Sequence, residues 1–254
     1  MTMFLDAQNL SFSYGGAKTL SDCSFSLAPG KLTIITGPNG SGKSTLIHLL
    51  GGLLSPSAGE ILLDGKNISS FSHIERACRV GVLAQEKPPA LDFSVAERIM
   101  MGRFAHLPRL FAPGAEDLKA VAEVMEFMGL IPLKDKPCNR LSGGEYQKVL
   151  IASLLARKTP VMLLDEPTSA LDPAGALRTM EIFKEQKENS AVAIVTHDLA
   201  SAAAFADELI LVKEGRIFAS GTPEEVLTAE NITAVYHCNV EILSSSAGPV
   251  PIFR

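Results

Sequence analysis

The residues best suited to chemistry start at a glycine-rich stretch, positions 37–44, which reads Gly-Pro-Asn-Gly-Ser-Gly-Lys-Ser. Apolar runs at 32–36 and 46–50 flank it, which predicts a strand before the stretch and a helix after it. Glycines let backbone N–H groups point inward, and a helix N-terminus adds partial positive charge, so the pattern predicts a phosphate-binding loop. In such a loop Lys43 would reach the β- and γ-phosphates of a nucleotide, and Ser44 would bind Mg²⁺. The loop alone leaves kinases, GTPases and many ATPases open.

Two adjacent carboxylates, Asp165 and Glu166, follow the apolar run 161–164. Successive residues of a strand point to opposite sides, so one carboxylate can serve a metal ion while its neighbour serves a water molecule. This arrangement predicts that Asp165 holds Mg²⁺, directly or through water, and that Glu166 is the general base that polarises the attacking water. By itself, an acidic pair after a strand is more often a solvated turn or a helix start. A further motif has to decide between these interpretations.

The deciding motif is Leu-Ser-Gly-Gly-Glu at 141–145. Taken alone, it is a good N-terminal cap for a helix. In combination with the phosphate loop and the acidic strand end, it resembles the signature of ABC ATPases. The resemblance implies that Ser142, Gly143 and Gly144 contact the γ-phosphate of an ATP molecule held by the opposite subunit of a dimer.

Other positions follow in the order typical of that family, and the resemblance covers nearly the whole chain. They are Tyr14, Gln85, the stretch 169–172 and His197. The resemblance implies that Tyr14 stacks on adenine and that 169–172 is the D-loop. It implies that Gln85 touches Mg²⁺ or water and moves with the helical lobe that follows it. It also implies that His197 contacts the γ-phosphate.

Motifs and resemblance together predict ATP and Mg²⁺ as cofactors and three groups of site residues. The predicted catalytic residues are Glu166, His197, Gln85 and Lys43. The predicted nucleotide-binding residues are Tyr14, Gly37, Pro38, Asn39, Gly40, Ser41, Gly42, Lys43, Ser44, Thr45, Ser142, Gly143, Gly144 and Asp172. The predicted metal ligands are Ser44, Gln85 and Asp165.

The elements that must position these residues alternate between strand and helix patterns. Turn signals at 15–16 and 29–30 suggest an antiparallel β layer at the start, and residues 94–158 have a helical pattern. Predicted strands at 161–164, 191–195 and 209–213 are separated by predicted helices at 173–188 and 199–206, which favours a mostly parallel sheet. A capping box at 222–225 predicts a short helix through 227, and the tail 240–254 has no clear pattern.

The fold class implied is α/β, with a RecA-like P-loop NTPase core, an antiparallel β subdomain and an inserted helical subdomain. We expect a single ABC ATPase domain over 1–254, with the helical subdomain at approximately 87–158.

Composition limits the function further. The 254 residues carry a net charge of -5, which argues against broad non-specific nucleic-acid binding. The apolar runs fall short of the roughly 20 residues that a membrane span needs, and no secretory signal is recognised at the start. The four cysteines form no CxxC pair, which favours free thiols in a reducing compartment.

We therefore expect the ATP-hydrolysing subunit of an ABC importer, peripheral on the cytoplasmic face of the inner or plasma membrane. One ATPase set without a membrane span is typical of bacterial importers. The expected partners are transmembrane permease subunits, a second copy of the chain in a head-to-tail homodimer and, indirectly, a substrate-binding protein, with no nucleic acid. A permease groove is predicted beside Gln85, where Phe93, Met100, Met101 and Phe104 offer apolar contact.

The expected cargo is an iron chelate (a siderophore or haem) or cobalamin. This expectation rests on resemblance alone. The stretch 101–107 is similar to a Gly-Arg-aromatic-Pro-His segment in ATPases of that importer group, although Ala105 stands where proline is usual. The segments 222–227 and 240–242 resemble their C-terminal end. The alternatives are a zinc or manganese importer and a soluble ABC ATPase outside transport. A small-molecule kinase is opposed by the signature motif.

Overall fold

The structure is a computed structural model that describes residues 5–84, 92–107, 112–245 and 248–254. The strands are β1 (Leu5–Tyr14), β2 (Ala17–Leu27), β3 (Leu32–Thr36), β4 (Ala58–Leu63), β5 (Lys66–Asn67), β6 (Val80–Leu83), β7 (Val161–Asp165), β8 (Ala191–Val195), β9 (Glu208–Lys213), β10 (Arg216–Gly221), β11 (Val240–Ser245) and β12 (Gly248–Phe253). The helices are α1 (Lys43–Leu50), α2 (His73–Ala77), α3 (Val95–Met100), α4 (Ala115–Phe127), α5 (Gly143–Arg157), α6 (Pro173–Gln186), α7 (Leu199–Phe205), α8 (Pro223–Val226) and α9 (Ala229–Tyr236). Short 3₁₀ segments span Ile68–Ser70, Met101–His106, Ile131–Leu133 and Cys138–Arg140.

The central sheet has the strand order β10-β9-β3-β8-β7-β6. Strands β9, β3, β8, β7 and β6 are parallel, and β10 pairs antiparallel with β9 at the edge. Every residue of β3, β7 and β8 is buried, as expected for parallel strands covered on both faces. The predicted strands 32–36 and 191–195 coincide with β3 and β8, which confirms the mostly parallel sheet.

Alternate residues of these strands supply two hydrophobic cores, one on each face of the central sheet. Ile34 and Leu164 belong to the core shared with α5, α6 and α7. Ile35 and Leu163 belong to the core shared with α1 and the first two strands. The sheet is therefore held from both sides, which fixes its strand ends.

A second sheet, in the order β2-β1-β4-β5, is antiparallel throughout and forms the predicted antiparallel β subdomain. Between β6 and β7 the chain forms α3, α4, α5 and 3₁₀ segments, which confirms the helical pattern predicted for 94–158. The proposed start of this subdomain near residue 87 lies outside the described residues.

The C-terminal tail forms the antiparallel hairpin β11-β12, for which the sequence pattern gave no prediction. Gly248 of the hairpin lies close to the backbone of Ala203 in α7. In the part of the chain that the structure describes, no helix has both the length and the apolar character needed to cross a bilayer.

Candidate functional site

Three neighbouring strands of the central sheet end at the same edge, and each is followed by predicted site residues. The phosphate loop follows β3, the acidic pair ends β7, and His197 comes two residues after β8. Asp165 pairs with Val195 in the sheet, and the Glu166 N–H donates to the Val195 carbonyl at 2.9 Å. Ligands of open α/β sheets bind outside the carboxyl ends of such strands.

The phosphate loop lies tightly against the strands behind it. Gly37 has φ 149°, and a side chain there would overlap the carbonyl oxygen of Val212 in β9. Lys43 Nζ donates to the carbonyls of Gly37 and Pro38, both at 2.8 Å. Burial lowers the pKa of Lys43, and the nearby Glu166 carboxylate opposes that shift. The lysine charge is thus held at the centre of the loop.

Asp165 is suited to hold a cation together with Ser44. Burial raises the pKa of Asp165, and a hydrogen bond from the Ser44 side chain opposes the rise. Its Oδ1 atom is buried without a hydrogen-bond partner among the residues that the structure describes. Mg²⁺ is commonly bound by one or two carboxylates together with substrate phosphates. A carboxylate oxygen with no partner, beside a hydroxyl, fits that ion.

Glu166 is held in a rare backbone conformation at the edge of the sheet. Its φ is 49°, in the left-handed region that residues other than glycine seldom adopt. His197 Nδ1 lies 3.1 Å from Glu166 Oε1, and the Ser169 hydroxyl donates to the Glu166 carbonyl at 3.0 Å. Strained residues of this kind concentrate at functional sites. The sheet edge therefore presents the Glu166 carboxylate beside His197.

A cleft of about 440 Å³ joins the phosphate loop and Glu166. Its lining consists of Thr19, Asn39, Gly40, Gly42, Lys43, Ser44, Thr45 and Glu166. A larger cleft of about 970 Å³ lies beside the C-terminal hairpin, away from the phosphate loop. We assign the chemistry to the smaller cleft because it holds both the loop lysine and the acidic strand end.

The signature residues lie elsewhere in the chain. Ser142 caps α5: its hydroxyl accepts the Glu145 N–H at 3.2 Å, and the Ser142 N–H donates to Glu145 Oε2 at 2.7 Å. Ser142 and Gly143 are exposed, and Gly144 packs beside the carbonyl of Ala170. The lining of the 440 Å³ cleft includes none of these signature residues.

The remaining predicted residues have different surroundings. Asp172 caps α6 by accepting the Gly175 N–H at 2.7 Å. Tyr14 is 51% exposed, with its ring edge-on to Phe12 at 4.7 Å between centroids. Gln85 lies outside the described residues. The nucleotide-binding roles of Asp172 and Tyr14 and the metal role of Gln85 remain predictions.

The structure also brings residues to the site that the sequence reasoning missed. Thr19 lines the cleft. The Tyr236 hydroxyl lies 3.4 Å from the Thr36 hydroxyl at the start of the loop. Gln147 Nε2 donates to the Pro167 carbonyl at 2.9 Å, which links α5 to the segment after Glu166. Tyr236 is 200 residues from Thr36, so no local pattern could have found this contact.

Comparison with known proteins identifies the family. The model of the ABC transporter family matches residues 20–169. The ferric enterobactin transport ATP-binding protein FepC of Escherichia coli K12 is 36% identical over 98% of this chain and 92% of its own length. The hemin import ATP-binding protein HmuV of Rhodococcus jostii is 37% identical over 94% of this chain and 82% of its own. The cobalamin import ATP-binding protein BtuD of Halobacterium salinarum is 36% identical over 94% of this chain and 60% of its own.

Solved structures agree with this grouping. A protein described as a metal-chelate type ABC transporter, in an inward-facing conformation, superposes with a TM-score of 0.83 at 28% identity, covering 99% of this chain and 97% of that one. A dimeric ATP-binding cassette in a post-hydrolysis state with ADP and phosphate superposes with a TM-score of 0.76 at 27% identity, covering 86% and 98%. With the phosphate loop, the acidic pair and His197 at one sheet edge and relatives aligned over nearly its whole length, the chain belongs to the ATP-binding subunits of ABC transporters and is an ABC-type ATPase.

Proposed function

We propose that this ATPase drives the import of an iron chelate, siderophore or haem, or of cobalamin. The observation that carries the proposal is the similarity to FepC, HmuV and BtuD over 94–98% of the chain. Their names describe transport of ferric enterobactin, hemin and cobalamin. The cargo itself would contact the permease and its binding protein, so the site residues of this chain cannot select among the three.

An uptake assay tests the cargo. A strain lacking this chain is supplied with labelled ferric siderophore, haem, cobalamin and zinc, and is complemented with the parent or with Glu166→Gln. We expect loss of one of the first three uptakes, its recovery with the parent, and no recovery with Glu166→Gln. Loss of zinc uptake alone would change the proposed cargo to that of a zinc or manganese importer. The assignment as an ATPase would be unaffected.

Nucleotide binding is the first step of the proposed mechanism. The N–H groups of the loop 37–44 and the Lys43 ammonium bind the phosphates of ATP, because the loop and the start of α1 line the cleft and a helix N-terminus favours anions. Ser44 and Asp165 would hold Mg²⁺, and we propose Gln85 as a further ligand of this ion. When bound, the ion neutralises charge on the β- and γ-phosphates.

Hydrolysis is assigned to the sheet edge. Glu166 takes a proton from the attacking water as the new bond to the γ-phosphorus forms and the bond to the β,γ-bridging oxygen breaks, which leaves ADP and phosphate. His197, 3.1 Å from Glu166 Oε1, orients that carboxylate and contacts the γ-phosphate. The general base and the group that positions it are therefore neighbours in this chain.

The second half of each site would come from a second copy of the chain. Ser142 and Gly143 are exposed and lie outside the cleft that holds Lys43. A head-to-tail homodimer would present them to the γ-phosphate of the partner, and a related cassette forms a dimer. ATP then binds the closed dimer better than the open one, so binding closes the dimer and hydrolysis releases it.

The permease would convert closure into alternating access, with this chain peripheral on the cytoplasmic face of the membrane and the substrate-binding protein acting indirectly. Phe104 is 60% exposed on the helical lobe, whereas Phe93, Met100 and Met101 are half-buried. Exposed apolar side chains of this kind suit a protein contact. We infer that they receive the permease.

A charge substitution tests that contact. Phe104→Glu is expected to abolish transport while basal ATPase activity of the isolated chain is retained, because the side chain lies outside the cleft. Leu243→Glu on the C-terminal hairpin, where the side chain is 48% exposed, is the matched control and should retain transport. Full transport by Phe104→Glu would remove this residue from the permease contact.

A further inference from the structure

A buried ion pair in the helical lobe contributes no residue to the lining of the cleft and has no part in the proposed hydrolysis. Arg103 Nε donates to Asp117 Oδ1 at 2.9 Å, and the two side chains are 10% and 11% exposed. The Arg103 hydrogen bond holds the pKa of the Asp117 carboxyl below its usual range. The guanidinium is thus fixed in one orientation by a carboxylate from α4.

The same guanidinium closes the C-terminal end of α5. Arg103 Nη1 donates to the carbonyl of Ala156 at 3.0 Å and to that of Arg157 at 3.5 Å. His106 Nε2 lies 2.8 Å from the Arg157 carbonyl. The last carbonyls of a helix have no partner within the helix, and a cation is favourable there. Two side chains of one short segment therefore satisfy the end of α5.

This segment, residues 102–106, is here named the clamp segment, and its backbone also lies directly on α5. A side chain at Gly102 would overlap the carbonyl oxygen of Ser153, so close approach requires glycine. On its other side, Cys78 Sγ donates to the Ala105 carbonyl at 3.1 Å. The clamp segment is consequently fixed to the helix by backbone packing as well as by side chains.

The opposite end of α5 carries the signature. Ser142 is the N-cap of this 15-residue helix, which extends about 22 Å at 1.5 Å per residue. Its middle is packed on the core, with Val149, Ile151 and Ala152 all at 0% exposure. Rigid secondary elements can carry coupling between distant sites, so a displacement at the C-terminal end of α5 would reach Ser142.

We propose that Arg103 is a positioning residue for the signature. Through the clamp segment and α5, it sets the position of Ser142 and Gly143 relative to the partner subunit. Phe104, exposed beside it on the same segment, gives a permease contact a direct mechanical path to the signature. The inference rests on the shared nucleotide site and on the permease contact proposed above.

The test separates binding of ATP within one chain from contact with the second chain. In a Glu166→Gln background, ATP affinity is measured at a concentration where the chain is monomeric, and ATP-dependent dimerisation is followed by analytical ultracentrifugation. Arg103→Met with Asp117→Leu keeps apolar volume and leaves no buried charge without its partner, so the lobe still folds. We expect the ATP dissociation constant to stay within about two-fold and the dimer dissociation constant to rise about tenfold.

Two further variants sharpen the result. Arg103→Lys keeps the charge but not the branched geometry, so it should restore part of the dimerisation. Lys119→Ala, which removes the exposed Lys119–Glu123 pair at 3.8 Å on the same lobe, is the control and should dimerise like its parent.

Each contrary outcome is decisive. Dimerisation as tight as the parent in the Arg103→Met, Asp117→Leu protein removes the positioning role while the shared site stands. Equal losses of ATP binding and dimerisation show general damage and also overturn it. A Glu166→Gln parent that never dimerises with ATP overturns the shared site itself, and the inference with it.

Discussion

The two glycine-rich helix starts of this chain, at α1 and α5, look alike in sequence but differ in their surroundings. At α1 the N-cap is Gly42, which has no side chain to bond the first N–H groups of the helix. At α5 the N-cap is Ser142, which forms a capping box with Glu145. The first N–H groups of α1 are therefore left for a phosphate. At α5 the Ser142 hydroxyl already accepts the Glu145 N–H, and Ser142 is exposed.

Their supports differ as well. The α1 loop is attached to the parallel sheet, whose strand ends also supply Asp165, Glu166 and His197. The α5 start belongs to the inserted helical lobe and reaches the sheet edge through Gln147 and the Pro167 carbonyl. One half of the proposed site is therefore built on the central sheet, and the other half is positioned by the helical lobe. The following predictions test that division.

The largest effects are expected on the sheet side. Lys43→Ala should remove productive ATP binding, because the buried ammonium is the cation at the centre of the loop. Glu166→Gln should keep ATP binding, slow hydrolysis by about 10²–10⁴ and trap the ATP-bound dimer, since only the general base is lost. Nucleotide affinity, phosphate release and sedimentation measure the three quantities. Hydrolysis by Glu166→Gln at the parental rate would take the base role from Glu166.

A mixed dimer tests whether the two halves come from different chains. Lys43→Ala and Ser142→Arg chains should each be inactive alone. In a 1:1 mixture, half of the dimers are mixed and each has one intact site of two, so ATPase activity should return to about a quarter of the parental value. Lys43→Ala mixed with Glu166→Gln is the control, because both defects lie on the sheet side and every site stays broken. If no ratio of the first pair restores activity, the head-to-tail arrangement is wrong.

The division also explains what could be predicted from the sequence. Strands β3 and β8 were predictable because buried parallel strands are continuous apolar runs, and Asp165 with Glu166 because they follow such a run. The Arg103–Asp117 pair and the Tyr236–Thr36 contact were not, since they join residues whose proximity depends on packing between elements. The hairpin β11-β12 was missed because Pro249 and Pro251 interrupt its apolar pattern.

A moderate effect is expected at Tyr14, which we propose to stack on the adenine of ATP. Its ring is half-exposed, which suits stacking on a base. Tyr14→Ala should weaken ATP binding about tenfold, the size of one base-stacking contact, and Tyr14→Phe should not. Binding of inorganic triphosphate, which has no base, should be equal in all three proteins. A Tyr14→Ala protein with parental ATP affinity would exclude the stacking role.

The smallest effect is expected at Asp117, on the signature side. Because Arg103 lowers the pKa of Asp117 in the folded chain, the stabilisation is fully present above the unfolded pKa of about 3.9 and is lost as pH falls through the lower folded value. Asp117→Asn keeps an acceptor for Arg103 but no charge, so at pH 7 it should cost about 1 kcal/mol, or roughly 2–4 °C in melting temperature. Calorimetry of the parent and Asp117→Asn from pH 7 downward should show that the difference in melting temperature closes below about pH 4. The ATP affinity at pH 7 should be unchanged. A difference in melting temperature that persists in acid would mean that the carboxylate charge does not provide the stability. Weakened ATP binding by Asp117→Asn would show that the signature side and the sheet side are not separable in one chain.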